Sequence, residues 1–86
     1  MPVCIPKLSY DALKYLNTLD RTTARRITEK IAALAKEPYN LRLSKPLKNS
    51  SKRTARVGDY RILFVVESDI LLVSYIGPRG QIYRNA

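Results

Sequence analysis

Apolar positions recur every three or four residues between Tyr10 and Lys36, then change period between Thr54 and Ile76, where they alternate or form short β-branched runs. The first pattern predicts helices and the second strands. Ala12, Leu13, Tyr15, Leu16 and Leu19 mark a short helix over Tyr10–Leu19, with Ser9 as its N-cap and Asn17-Thr18 loosening its end. Ala24, Ile27, Ile31, Leu34 and Ala35 mark a second, over Arg21–Glu37, capped by Asp20, stopped by Pro38 and antiparallel to the first across a tight loop. Ahead of them, Val3-Cys4-Ile5-Pro6-Lys7 reads as a short strand that Pro6 confines to an edge or ends, because proline has no ladder donor.

Gly58-Asp59 supplies the two central residues of a tight hairpin turn, so the register of its strands is fixed. Val57 falls opposite Tyr60, Arg56 opposite Arg61, Ala55 opposite Ile62, Thr54 opposite Leu63 and Arg53 opposite Phe64. Val57, Tyr60, Ala55, Ile62 and Phe64 share one face, and Arg56, Arg61, Thr54 and Lys52 point to the other. Ser68-Asp69 allows a second turn into a strand over Ile70–Ile76, whose continuous apolarity predicts a central position covered on both faces. With a two-residue turn, Phe64 pairs with Val73, Leu63 with Ser74 and Arg61 with Ile76, so Ser74 and Ile76 join the Arg61 side. Tyr39–Ser51 and Gly77–Gly80 read as loops, and Gln81–Arg84 as an extended tail that brings Arg79 near Arg61 with Tyr83 close behind. The expected fold is α+β in one domain over residues 1–86: a short N-terminal strand, two antiparallel helices and a three-stranded antiparallel meander.

Charge changes this picture most. Sixteen Lys and Arg against seven Asp and Glu give a formal +9, which points to nucleic acid or an acidic protein as partner. Between Arg42 and Arg61 seven basic residues face Asp59 alone, a net +6, so the charge gathers beside the hairpin. Arg56 opposite Arg61 costs roughly 0.2–1 kcal/mol as a like-charged cross-strand pair, and an anion would relieve that cost. Cys4 is alone and reads as a small buried strand residue; with no histidine in the chain, no zinc cluster is expected. No apolar run approaches the ~18–20 residues that span a bilayer, and no secretory pattern opens the chain, so a cytoplasmic protein without membrane contact is expected.

Lys45-Pro46-Leu47-Lys48, the hairpin Arg56–Phe64 and Ile76-Gly77-Pro78-Arg79-Gly80-Gln81-Ile82-Tyr83, taken with this element order, resemble the RelE/ParE superfamily of bacterial toxins, and its RelE side more closely. The resemblance implies a RelE-like fold and the toxin of a type II toxin–antitoxin pair. Its activity would be a metal-independent, cofactor-free endoribonuclease that cuts mRNA on the ribosome, with 16S rRNA contacts, by ribose 2′-hydroxyl attack on the adjacent phosphate. It implies functional groups at Lys52, Arg61, Arg79 and Tyr83. Lys52 is then base or electrostatic clamp, Arg61 and Arg79 are forked phosphate donors, and Tyr83 orients the 2′-hydroxyl, stacks on a base or donates a proton. Lys45, Lys48, Arg53 and Arg56 are expected to steer and hold the RNA. Thr54 stands where well-characterised members carry a second lysine, and Pro78 where His or Lys often precedes the arginine. A ParE-like gyrase inhibitor and a weak member that only binds nucleic acid or antitoxin are the alternatives. The charge and the apolar residues beside Arg61 predict an acidic, amphipathic antitoxin segment lying over the sheet.

Overall fold

The computed structural model describes residues 3–48 and 50–78. In chain order they form β1 (Ile5–Leu8), α1 (Tyr10–Leu16), α2 (Arg21–Lys36), β2 (Lys45–Pro46), β3 (Arg53–Val57), β4 (Tyr60–Glu67) and β5 (Ile70–Pro78). Both expected helix caps are made. Ser9 Oγ accepts from the Ala12 amide at 3.1 Å, and Asp20 Oδ2 accepts from the Thr23 amide at 3.1 Å. The first helix is shorter than its apolar spacing suggests, because Asn17 caps it and Thr18 Oγ1 donates to the Tyr15 carbonyl at 2.6 Å. Each helix makes most of its contacts with the sheet, α1 chiefly on β5 and α2 on β1 and β3. No helix among the described residues is long and apolar enough to cross a membrane.

The β3–β4–β5 meander forms the centre of a larger mixed sheet in the order β1-β5-β4-β3-β2. β1 runs parallel to β5, and β2 antiparallel to β3. The pairing of β1 follows from the two helices between them, which return the chain to the same end of the sheet. β1 is an edge strand, as Pro6 requires. Cys4 precedes it and is half-buried, where the sequence suggested a buried strand residue. β2 lies inside the stretch expected to be all loop, and aperiodic sequence cannot reveal a two-residue strand that pairs only at Lys45–Thr54 and Pro46–Arg53.

The hairpin register is as its turn dictates, from Val57–Tyr60 through Arg53–Phe64. Gly58 and Ser68, the first central residues of the two turns, both take φ of 57°. The β4–β5 register departs from expectation at one point. Phe64 pairs with Val73, but Leu63 pairs with Tyr75, so Ser74 is an inserted residue in a bulge. Its hydroxyl donates to the Leu63 carbonyl at 3.3 Å, while its own carbonyl accepts from Ser9 Oγ at 3.1 Å. The cap of α1 and the bulge are thereby one local structure.

The bulge resets which side chains share a face. Ile76 pairs with Ile62 and enters the core, whereas Tyr75 and Gly77 turn to the Arg61 side, the reverse of the unbulged register. Phe64, Ile62, Leu71, Val73 and Ile76 pack with Ile27, Ile31 and Leu34 of α2 and Ala12 of α1 in one core. Both helices cover the same sheet face. β5 is central as expected, but only one of its faces carries helices, and Leu72 on the other is half-buried.

Candidate nucleic-acid interface

The face without helices is organised in cross-strand rows. Lys45, Thr54, Leu63 and Tyr75 form one across β2, β3, β4 and β5, and Arg56, Arg61 and Gly77 form the next. Thr54 and Leu63 are buried there, at 6% and 2% exposure. The predicted Arg56–Arg61 pairing is therefore present. Arg56 bends its guanidinium over its own turn, with Nε donating to the Gly58 carbonyl at 3.0 Å, which leaves Arg61 the more enclosed of the two.

A cavity of about 220 Å³ opens beside these rows because β2 is so short. Ahead of Lys45 the chain does not pair with β3, so among the described residues no strand covers the edge of Ala55–Val57. Lys30 of α2, Arg42, Lys45, Arg56 and Arg61 line it together with Thr54, and among the described residues none that lines it is acidic. Positive groups from five parts of the chain converge on one space, which favours an anion.

The sequence candidates divide between the two faces. Lys45, Arg56 and Arg61 belong to the cavity. Lys52 is half-buried just ahead of β3, its amide donating to Ser50 Oγ at 3.0 Å and its carbonyl accepting from the Leu47 amide at 3.0 Å. It stands four residues from Arg56, about 13 Å along a strand, so Lys52 and Arg61 meet only by reaching over the Thr54–Leu63 row. Arg53 is on the opposite face, across from Phe64. Its guanidinium donates to Ser44 Oγ at 3.0 Å and to the Ser44 carbonyl at 3.4 Å, and stacks 5.2 Å from the centre of the Tyr39 ring. It thus ties down the 38–46 connection. Lys48 is exposed and does not line the cavity. Arg79 and Tyr83 lie outside the described residues.

Tyr75 is the aromatic that sequence reading missed. Its ring lies over Gly77, the cross-strand partner of Arg61, so closely that a Cβ on Gly77 would fall 2.5 Å from Tyr75 Cε1. The only available signal was a polar Ser74 inside an apolar run. Near the same end of the sheet, Tyr15 and Tyr60 meet edge to face with ring centres 6.4 Å apart. Burial, then the neighbouring phenols of Tyr60 and Tyr75, push the Tyr15 phenol above its ordinary pKa.

An α+β core with one helix-covered sheet face and one helix-free face edged by a basic cavity describes a small polyanion- or protein-binding module. The profile of the ParE toxin of type II toxin–antitoxin systems, parDE, matches residues 7–83, and the chain belongs to that family, within the RelE/ParE superfamily. Solved structures with a similar fold include RelE toxins. The RelBE2 toxin–antitoxin complex of Mycobacterium tuberculosis is 24% identical with a TM-score of 0.77, over 92% of this chain and 100% of that one. The archaeal RelE–RelB complex of Pyrococcus horikoshii OT3 is 24% identical with a TM-score of 0.75, over 94% and 99%. The RelB–RelE complex of Methanococcus jannaschii is 25% identical with a TM-score of 0.71, over 91% and 95%. Comparison with curated proteins finds no match.

Proposed function

We propose that this toxin is a ribosome-dependent mRNA endoribonuclease acting in the cytoplasm. The observation that carries the proposal is the convergence of Lys45, Arg56 and Arg61 with Lys30 and Arg42 around a space that no acid among the described residues lines. In the reaction a ribose 2′-hydroxyl loses its proton and attacks the adjacent phosphorus. The P–O5′ bond breaks, and the departing 5′-oxygen takes a proton, leaving a 2′,3′-cyclic phosphate and a 5′-hydroxyl. Arginine keeps its charge through such a cycle and binds phosphate with a planar fork, so Arg61 suits the phosphorane oxygens and is unsuited to proton transfer. Arg79 is its expected second clamp, Lys52 the base or electrostatic clamp, and Tyr83 the group that positions the 2′-hydroxyl or protonates the leaving oxygen.

Purified toxin added to translating ribosomes should produce discrete new 5′ ends within the message. Arg61→Ala should lower that cleavage by about 10²–10³-fold, the usual effect of removing one oxyanion donor. Uncut message under conditions where a control toxin cleaves would sink the proposal. The ParE profile match favours a second reading, inhibition of DNA gyrase, which accumulation of cleaved DNA alongside intact message would select.

The three solved structures compared above are toxin–antitoxin complexes. Here the half-buried Val65–Leu72 pair, with Lys7 beside Leu72, continues the helix-free face beyond Leu63. An acidic, amphipathic antitoxin segment suits that surface, its apolar side on Val65 and Leu72 and its carboxylates toward the basic rows.

A further inference from the structure

We propose that the cavity at the β2–β3 step is a phosphate pocket in which the Thr54 hydroxyl donates to a non-bridging oxygen and Lys45 supplies the balancing charge. The proposal rests on the ribonuclease reading only for the source of the phosphate, a messenger backbone. Its starting point is an unsatisfied group. Thr54 is 6% exposed and lines the cavity, and its Oγ1 is buried with no hydrogen-bond partner among the described residues. A buried hydroxyl in that state is destabilising, and a valine would fill the same strand position without the cost. A ligand oxygen removes the cost.

Lys45 is the direct cross-strand partner of Thr54, so the two side chains project from neighbouring strands on the same face. In a cross-strand pair the Cβ atoms sit about 4.5–5.5 Å apart, close enough for one small anion to touch both groups. A neutral donor flanked by cations is a common way to bind phosphate. Arg42 and Lys30 close the cavity from the loop and from α2. Donors on three sides suit a tetrahedral anion with three outward oxygens better than a planar carboxylate with two. A volume of about 220 Å³ is also small for a base or a drug-sized ligand and adequate for one phosphate group with water.

The test is amide NMR of the full chain titrated with inorganic phosphate, then with a 5′-phosphorylated deoxydinucleotide, which lacks the 2′-hydroxyl and cannot be cleaved by the proposed route. Shifts should centre on Thr54 and Lys45. Thr54→Val should weaken phosphate about tenfold, as expected for one hydrogen bond to a charged group, while raising Tm by about 4–8 °C. Thr54→Ser should keep most of the affinity, which guards against misreading a folding defect. Lys45→Met should also weaken binding about tenfold, and Lys14→Met on the exposed side of α1 should leave it unchanged. Equal phosphate affinity in wild type and Thr54→Val, or acetate binding as tightly as phosphate, overturns the pocket. Phosphate bound as described with message left uncut overturns the ribonuclease reading and leaves the pocket standing.

Discussion

Replacing Gly77 by alanine tests the bulge, the placement of Tyr75 and the geometry beside Arg61 in one experiment. The added Cβ would lie 2.5 Å from Tyr75 Cε1, 2.9 Å from its Cζ and 2.8 Å from its hydroxyl oxygen. Comfortable carbon contacts are about 3.5–4.0 Å, so the ring must retreat by roughly 1 Å or more. Overpacking of this kind costs about 1–3 kcal/mol. Gly77 has no left-handed backbone to lose, so alanine also stabilises by about 0.4–1 kcal/mol through the unfolded chain. The net expectation is a loss of about 0.5–2 kcal/mol, measurable by urea denaturation followed by circular dichroism. The decisive observation is the sign in a Tyr75→Ala background, where the obstruction is gone. There Gly77→Ala should stabilise by about 0.4–1 kcal/mol, reversing its effect in the wild type, with a coupling of about 1–3 kcal/mol between the sites. The same sign in both backgrounds would refute the packing of Tyr75 on Gly77 and, with it, the bulged register that puts both residues on the Arg61 side.

Arg53→Met should destabilise the chain by about 1–2 kcal/mol, because two hydrogen bonds to Ser44 and the stack on Tyr39 disappear together. Amides in 39–46 should exchange faster, and unchanged protection there would show that Arg53 does not hold the connection. Asp20 is held below the ordinary aspartate pKa by its hydrogen bonds to Thr23 at the start of α2. Its contribution is therefore complete above about pH 4 and is lost as pH falls through the lower folded-state value. Asp20→Asn keeps the cap without the titration, so the acid limb of a stability–pH profile should flatten; an unaltered slope would count against this cap as its source.

Local physics written in short stretches of chain was legible without coordinates. Ser9 and Asp20 announce helix starts, because a side-chain acceptor at the end of a periodic run has amides to cap. Gly58-Asp59 dictates the hairpin register, and with it the opposition of Arg56 and Arg61, because a two-residue turn admits one pairing. Charge density pointed to the candidate interface for a similar reason, since like charges without acids nearby need a counterion wherever the chain folds.

What escaped depends on contacts between distant segments. The Ser74 bulge is stabilised by Ser9, 65 residues away in sequence, and that one inserted residue exchanges Ile76 for Tyr75 on the basic face. The separation of Arg53 from Arg56 and Arg61 follows from strand alternation, but its use as a tie to Ser44 and Tyr39 required the loop to be in place. The cavity arises because β2 stops after Pro46 on one side and the chain ahead of Lys45 does not pair with β3 on the other, and no periodicity encodes where a strand is missing. The sequence by itself determined the two helices, the strands other than β2 and the hairpin pairing, and it pointed to an anionic partner. Only the tertiary structure decided which cations share one space, since a bulge and a two-residue edge strand, both long-range outcomes, set which side chains face each other.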